Sequence, residues 1–475
     1  MLFYASLYVV RDGTTTGFNM RIAILGAGQL GIYLTQRLSL DHQVSVVDLD
    51  EEKLGFISSA FDVQIIKGDI TKPNIMMEAN FKDTDMIIAV TSNDTTNIAV
   101  CDMAYKLYKT PYKIARIRES EYSRFPKLLN NIDLVIKSFF ETTKQLEQLI
   151  VLSGAYFISS FFDKKVQIVG VAVADNSPLV GFAIKDIYLG LGDIKVDIIS
   201  VYRGDLKLDF ESTEVLVEPG DRVMYLSEQA YSSQILSIFQ PKNSNIRKIF
   251  IAGINHASIT LAKSLETKGF VIKMIDPSAK KCDMAIKELS KSTVLHYNPV
   301  NNNLLIAEGI DEADMFFALT NADEINIMSA ILAKKLGAKK TVATVNSAEY
   351  YSITRDMKLI DVSISPHSFS YTTIKSFLTQ VDMIRMYEIE GTDEHLVEIK
   401  VHGEENMSTI VGKNLAEFRL PKGLEILAIM RNNTPFFYAD DIVVADGDRL
   451  VIKADDKQAM SLLERLFQVM PLYIA

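Results

Sequence analysis

Gly26, Gly28 and Gly31 stand at the spacing G-x-G-x-x-G, directly after the apolar run Ile22–Leu25 and before a helical pattern that reaches about Leu40. In that context each glycine has a physical task. Gly26 makes the tight turn, Gly28 lets the backbone approach a pyrophosphate, and Gly31 lets helix and strand pack closely. The anion then meets the unbonded N–H groups of the helix start, where the helix dipole favours it. Asp48 closes the next apolar run, 22 positions beyond Gly26. A carboxylate there can accept hydrogen bonds from an adenosine ribose and would repel a 2′-phosphate, which favours NAD over NADP. Thr91-Ser92-Asn93-Asp94 follows the fourth run, at the edge where ligands of parallel sheets collect, and also reads as a helix N-cap. Arg116 and Arg118 alternate along the fifth run. One of them can reach the ligand edge and meet a phosphate, or both can be solvated. Gly68-Asp69 ends the third run, either beside an adenine or as an ordinary turn.

These residues need a parallel sheet to hold them. The runs Ile22–Leu25, Val44–Val47, Val63–Ile66, Met86–Val90, Ile114–Ile117 and Leu134–Ile136 are short, rich in β-branched residues and separated by amphipathic helical patterns. Together they predict a Rossmann-type α/β unit covered on both faces. A helical stretch follows from about Phe139 to Leu152, apolar at Phe140, Leu146, Leu149 and Ile150. Then come the strand-like runs Gln167–Ala174, Ile198–Tyr202 and Val223–Leu226, with turn signals at Asn176-Ser-Pro, Arg203-Gly-Asp and Pro219-Gly-Asp. They predict a small α+β unit rich in strand.

The plan then repeats. IAILGAGQLGIYL from Ile22 resembles IFIAGINHASITL from Ile249, and AVTSNDTTNI from Ala89 resembles ALTNADEINI from Ala318, setting Thr91 against Thr320 and Asn97 against Asn326. Glu218-Pro-Gly-Asp-Arg likewise matches Ala445-Asp-Gly-Asp-Arg. A unit of roughly 230 residues has been duplicated, with a polar join at Pro241-Lys-Asn-Ser-Asn. The second copy repeats the small unit with Leu396–Val401, Glu425–Arg431 and Leu450–Lys453. The expected fold is α/β: two Rossmann-like parallel-sheet domains, each followed by a small α+β C-terminal domain. The expected divisions are an N-terminal extension (1–19), a first Rossmann-like domain (20–141), a linker helix (142–157) and a first C-terminal domain (158–240). A second Rossmann-like domain (246–366), linker helix (367–385) and C-terminal domain (386–475) complete the chain. In the second copy Asn255 and Ser258 replace Gly28 and Gly31, Tyr297-Asn298 replaces Gly68-Asp69, and Thr344 or Val345 falls opposite Arg116. Asp276 keeps the ribose-type carboxylate, but a side chain at Asn255 crowds a pyrophosphate, so this copy is expected to be chiefly structural.

Composition narrows the function. The net charge of −10, with no basic block, argues against nucleic acid as a partner. The two cysteines, Cys101 and Cys282, are far apart in sequence and suit a reducing cytosol. No run of about 18 apolar residues appears, and Leu2–Val10 lacks the flanks of a signal peptide. A hydride-transfer enzyme needs an acid, base or anion clamp facing its cofactor. Of the six histidines, His42 falls at the edge opposite the ligand. His256, His296, His367, His395 and His402 belong to the second copy and are expected to lie away from the intact glycine loop. Binding without catalysis is therefore expected, with an NAD-dependent oxidoreductase as the alternative.

LGAGQLG, the VVD ending in Asp48, AVTSNDTTN and the ARIR containing Arg116 resemble the amino-terminal regulator-of-potassium-conductance (RCK) domain, and EPGDR and ADGDR resemble the turn of its carboxyl-terminal partner. Two tandem copies, over residues 20 to about 470, are similar to the regulatory subunits of Trk-type potassium uptake. The resemblance implies nucleotide binding, of NAD or NADH or of ATP or ADP at the same site, through Gly26, Ala27, Gly28, Gln29, Leu30, Gly31, Asp48, Thr91, Ser92 and Arg116. It also implies docking, at the cytoplasmic face of the membrane, on a potassium-translocating subunit. The implied assembly is a homo-oligomer, a tetramer forming an eight-domain ring. A sensor serving another cation transporter, such as a proton-coupled antiporter, is the second non-enzyme alternative.

Overall fold

The computed structural model describes residues 19–467 apart from 119, 192–193, 205, 211–213, 242–245, 348–349, 352, 355–356, 358, 379–380, 390–391, 405–407, 416–417 and 438–441. Most of the expected extension (1–18) and of the join (242–245) lies outside the described residues.

The first sheet comprises β1 (Arg21–Leu25), β2 (Gln43–Asp48), β3 (Gln64–Lys67), β4 (Met86–Ala89), β5 (Tyr112–Arg116) and β6 (Leu134–Ile136). They run parallel in the order β3-β2-β1-β4-β5-β6. Four helices connect them: α1 (Gln29–Leu38), α2 (Glu51–Ala60), α3 (Pro73–Glu78) and α4 (Asp94–Tyr108). Ile22, Ala23, Ile24 and Leu25 of β1 are all buried, as expected of a central strand covered on both faces. The order reverses between β1 and β4, so the two loops leaving these strands diverge and open a crevice at their carboxyl ends.

The small domains share one topology. The first is β7 (Ala155–Phe161), β8 (Val166–Ala172), β9 (Val196–Arg203), β10 (Leu206–Lys207) and β11 (Arg222–Glu228), ordered β10-β9-β11-β8-β7. The second Rossmann-like sheet runs from β12 (Lys248–Ala252) through β13 (Val271–Asp276), β14 (Thr293–His296), β15 (Met315–Ala318) and β16 (Thr341–Thr344) to β17 (Val362–Ile364). Its order is β14-β13-β12-β15-β16-β17, the same as in the first. The second small domain, β18 (Met383–Glu388), β19 (His395–Lys400), β20 (Leu424–Arg431), β21 (Thr434–Phe437) and β22 (Arg449–Ala454), repeats the first strand for strand.

Two boundaries differ from expectation. The first linker helix is Ser138–Val151, and β7 begins inside the stretch 142–157 expected to be helical; the second linker helix is Pro366–Leu378, and β18 begins inside 367–385. In both places an apolar run that could be read as helix gains ladder partners, β8 or β19, once the small sheet forms. Long-range pairing overrides an ambiguous local pattern there.

The chain divides into two compact units, and the linker helices are exchanged between the repeats. One unit holds the first Rossmann-like domain as far as Glu141, together with Ser365–Phe377. The Tyr371 ring lies edge-on to Tyr33 of α1 at 6.5 Å, and Phe377 lies edge-on to Tyr112 of β5 at 5.7 Å. The other unit holds Thr142–Ile364 and the chain from Leu378 on. Within it Leu146 and Leu149 of the first linker helix are buried. Just past this helix, the Lys340 ammonium at the start of the second repeat's fifth strand donates to the carbonyls of Ser153 and, at 2.8 Å, Ala155. Burial holds the Lys340 amine down to about 8.

The two small domains, both in this second unit, share a core. Phe157, Phe161, Phe162, Ile168 and Met224 meet Ile389, Leu396, Leu427, Met430 and Val451. The EPGDR and ADGDR turns are held by matched latches. Asp221 accepts from Arg203 Nε at 2.8 Å and from Glu218 N–H at 2.8 Å, and Asp448 accepts from Arg431 Nε at 2.9 Å and from Ala445 N–H at 2.8 Å.

Glu266, also in the second unit, has an acid-sensitive role. Its buried carboxylate accepts from the N–H groups of Ser290, Lys291 and Ser292 and from both serine hydroxyls. Burial pushes this carboxyl up, but the Ser292 hydroxyl and the three backbone N–H groups outweigh it and draw it down to about 2. A depressed carboxyl stabilises the fold above its unfolded value and loses that contribution as pH falls through the folded one. Between about pH 5 and pH 2 the wild type is expected to lose about 2 kcal/mol more than Glu266→Gln does. Urea midpoints of both proteins across that range measure the difference, and parallel pH profiles would contradict it.

Candidate nucleotide site

Each repeat carries one glycine turn, and the two are built alike but finished differently. In the first, Gly26 has φ +114°, and a Cβ there would stand 2.9 Å from the Thr91 nitrogen, so β1 and β4 approach too closely for any side chain. A Cβ on Gly31 would stand 1.9 Å from the Gly26 carbonyl oxygen, which fixes how tightly α1 folds back on the turn. Gly28 is the N-cap of α1, with no side-chain cap, and no atom lies within 4 Å of where its Cβ would be. The first intrahelical bond is Ile32 N–H to the Gly28 carbonyl, so the amides of Gln29, Leu30 and Gly31 precede any helical acceptor. Gly28 and Gln29 are exposed while Ala27 and Leu30 are buried; the last two can offer a ligand only backbone.

Asp48 braces the turn as well as facing it. Its carboxylate accepts from Ala27 N–H at 2.6 Å and from Asp50 N–H at 2.9 Å, while remaining partly exposed. The Thr91 hydroxyl donates to the Asn97 side-chain oxygen at 2.6 Å, and the Asn97 amide donates to the Arg116 carbonyl at 2.9 Å. Thr91 is therefore committed inward, and exposed Ser92 presents the polar surface of that loop. Asn97, fully buried, ties the β4 loop to the end of β5. Its recurrence as Asn326 was visible in the repeat, but its role was not; Asn326 makes the same bracket, to Thr320 and to the Thr344 carbonyl. That bracket sets Thr344 opposite Arg116.

The two arginines separate. Arg118 points to Asp94, 3.3 Å from its carboxylate, whereas Arg116 closes β5 half-buried. Burial first and the neighbouring Arg118 second hold the Arg116 guanidinium down to about 10, against the pull of Asp94. Gly68-Asp69 is a turn in its own right: a Cβ on Gly68 would run into Ile75, and Asp69 accepts from Thr71 N–H at 3.0 Å.

In the second repeat the corresponding space is taken by the chain itself. Asn255 accepts from Ser258 N–H at 3.0 Å and donates to the Leu319 carbonyl at 2.6 Å, while the Ser258 hydroxyl accepts from Asn255 N–H at 2.9 Å. This capping box uses the helix-start amide that an anion would need. Asp276 is buried, accepts from Ile254 N–H at 2.8 Å and Ser278 N–H at 2.9 Å, and lies 3.3 Å from Lys281 Nζ.

One expectation is corrected. His367 belongs by sequence to the second repeat, yet the exchanged linker helix carries it to the first. Its ring lies 5.8 Å from that of Tyr33 on α1. No local pattern signals this, because the exchange follows from packing between repeats. His42, by contrast, accepts from Met20 N–H at 3.4 Å, at the amino-terminal edge of the sheet. Among the described residues no group of His, Cys, Asp and Glu could hold a metal, and no helix is long and apolar enough to cross a membrane. Cys101 and Cys282 are free and buried.

Comparison with known proteins agrees with this architecture. The TrkA-N domain model matches residues 22–138 and 249–366, and the TrkA-C domain model matches 404–467. The chain is 31% identical to the Trk system potassium uptake protein TrkA of Haemophilus influenzae over 96% of this chain and 100% of that one. It is 30% identical to the TrkA of Vibrio alginolyticus, again over 96% and 100%. The crystal structure of the GsuK RCK domain aligns with a TM-score of 0.59 at 18% identity, covering 96% of this chain and 98% of that one, a likeness of fold. With both repeats matched and its curated relatives covered end to end, the chain belongs to the TrkA family of Trk system potassium uptake proteins.

Proposed function

We infer that this chain is the cytoplasmic, nucleotide-binding regulatory subunit of a Trk-type potassium uptake system, and that ligand in the first repeat's crevice biases the arrangement of an RCK ring. The observation that carries the reading is the contrast between the uncapped start of α1 at Gly28 and the self-capped helix at Asn255. In the first no side chain caps the helix ahead of the Leu30 and Gly31 amides, whereas in the second Asn255 takes the Ser258 amide that an anion would need. The ligand is a phosphate-bearing adenosine compound, NAD(H) or ATP or ADP. Its pyrophosphate lies over Gly26–Gly31, its ribose at Asp48, and its distal end toward Ser92 and Arg116. Thr91 shapes the loop and meets ligand at most through its backbone. The second repeat serves as scaffold.

A ligand shifts such an equilibrium only by binding one arrangement better, and a differential of about 1 to 3 kcal/mol is typical of this coupling. The exchanged linker helices suit that task, since each belongs by sequence to one repeat and by packing to the other. The family resemblance supports a potassium-translocating membrane subunit as partner and a tetrameric ring of eight domains at the inner face of the membrane.

Calorimetric titration of the full chain with NAD, NADH, NADP, ATP and ADP tests the reading. The full chain is needed because the first Rossmann-like unit includes Ser365–Phe377. Micromolar binding of at least one of these, at one site per chain, is expected, with NADP weakest. Asp48→Ala should weaken binding by at least about tenfold, since it removes both a ribose acceptor and the brace on Ala27. Absence of uptake at millimolar ligand, or rapid turnover of it, would refute the proposal. Potassium-limited growth of a deletion strain, restored by the intact gene and not by a Gly28 variant, tests the transport role.

A further inference from the structure

Building on that reading of the first repeat's site, we propose that His367, supplied by the second repeat, is a phosphate-binding residue there: with Arg116 it receives the terminal phosphate of a nucleoside triphosphate and takes up a proton as it does so.

His367 is the second residue of the helix Pro366–Leu378, which packs in the unit of the first Rossmann-like domain. Its imidazole lies 5.8 Å from the ring of Tyr33, one turn into the helix that Gly28 caps, and within the electrostatic reach of Arg116, the last residue of β5. The crevice runs from Asp48 at β2, past the glycine turn after β1 and the loop after β4, to the end of β5. An adenosine at Asp48 and a pyrophosphate on α1 leave the next group along that line at Arg116 and His367. The His367 Nδ1 is out of reach of solvent and has no hydrogen-bond partner among the described residues. A buried polar atom left unsatisfied costs about 1–3 kcal/mol, a cost that a ligand oxygen would remove.

The charge that bears on the His367 ring is that of Arg116. Arg116 faces it from β5; α1 contributes Tyr33 and, beyond it, Arg37, whose guanidinium lies 5.6 Å from the Tyr33 ring and 5.8 Å from the Tyr371 ring of His367's own helix. Asp94, whose charge bears on Arg116, is engaged by Arg118. Burial, and after it Arg116, holds the imidazole down to about 3, so it is neutral until an anion arrives. A phosphate dianion reverses the local field and makes the imidazolium, with two N–H donors, the favoured form. The proton comes from solvent, and no covalent bond is made or broken.

The repeat supplies an independent argument. The position matching Arg116 is Thr344, and the position matching His367 in the first linker helix is Phe139. The arginine and the histidine are absent together from the copy whose glycine turn is closed.

Calorimetry of the full-length protein with ATP, ADP and NAD, at pH 6.5 in two buffers of different ionisation enthalpy, measures protons taken up per ligand. Wild type is expected to take up about half a proton or more with ATP and distinctly less with NAD, and to bind ATP about tenfold more tightly at pH 6 than at pH 8. His367→Gln keeps a donor but cannot titrate. It should still bind ATP, lose the proton uptake that accompanies it, and show a flat pH profile. The imidazole resonances of His367 should report a neutral ring in free protein and a protonated one with ATP. Wild-type proton uptake persisting in His367→Gln, or a wild type that binds ATP without uptake, overturns the inference and leaves the nucleotide site standing. A wild type that binds none of the three overturns both.

Discussion

Gly28→Asn is expected to lose nucleotide affinity by at least about 100-fold while its melting temperature stays level or rises by a degree or two. The substitution copies the second repeat into the first. Gly28 is an N-cap with extended backbone, φ −74° and ψ 179°, and free space where a Cβ would go, so the side chain enters without a clash. Asparagine is among the preferred N-cap residues and gains a few tenths of a kcal/mol over glycine. Its oxygen would take a helix-start N–H, as Asn255 takes that of Ser258 at 3.0 Å. The amide that stabilises the helix is then the amide withdrawn from the phosphate. Gly31→Ala makes the opposite control. Its Cβ would fall 1.9 Å from the Gly26 carbonyl, so binding and stability should fall together. Calorimetry and thermal denaturation of the two variants separate a blocked site from a damaged one. A Gly28→Asn protein that binds with wild-type affinity would remove the glycine turn from the account.

Glu398→Ala should be the more damaging to stability, by about 3 kcal/mol, with nucleotide affinity unchanged. Glu398 is fully buried where the two small domains meet. It accepts from Arg449 Nε at 2.7 Å and from Phe162 N–H at 3.3 Å, and Arg385 lies 3.9 Å away. Burial pushes its carboxyl up, with Arg449 drawing it back down. Phe162, Asp163 and Lys164 all have positive φ, at 51°, 55° and 74°, a conformation that costs non-glycine residues on the order of 1 kcal/mol each. Glu398 holds the first of these residues, and Arg449, bonded to Asp163 at 2.6 Å, holds the second. Removing the carboxylate leaves Arg449 short of a charge and the turn short of an acceptor. A buried pair can often be replaced whole by apolar residues, so Glu398→Leu with Arg449→Met should recover much of the loss. Urea unfolding monitors both proteins. An alanine variant within about 0.5 kcal/mol of wild type would show that the pair is not holding the domains together.

The sequence by itself determined whatever depends on neighbours along the chain. Six strands of the first sheet were readable because short apolar runs between amphipathic helices have one economical packing. The glycine turn was readable because Gly26, Gly28 and Gly31 meet backbone demands set within a few residues, and the duplication because Gly253 recurs 227 residues after Gly26 with the strand and loop patterns that surround it. Tertiary structure decided what depends on residues distant in the chain. It set the Asp48 carboxylate on the Ala27 amide, turned Thr91 inward onto Asn97, and paired Arg118 with Asp94 while Arg116 closes β5 half-buried. It turned the apolar stretches at Ala155–Phe161 and Met383–Glu388 into strands, because their ladder partners are supplied by the small sheets. It also carried His367 from the second repeat to the first. Two similar halves have two ways to bury their linker helices, each on its own Rossmann-like domain or on the other's. Local periodicity is identical in both, and tertiary packing such as that of Tyr33 on Tyr371 and Tyr112 on Phe377 distinguishes them.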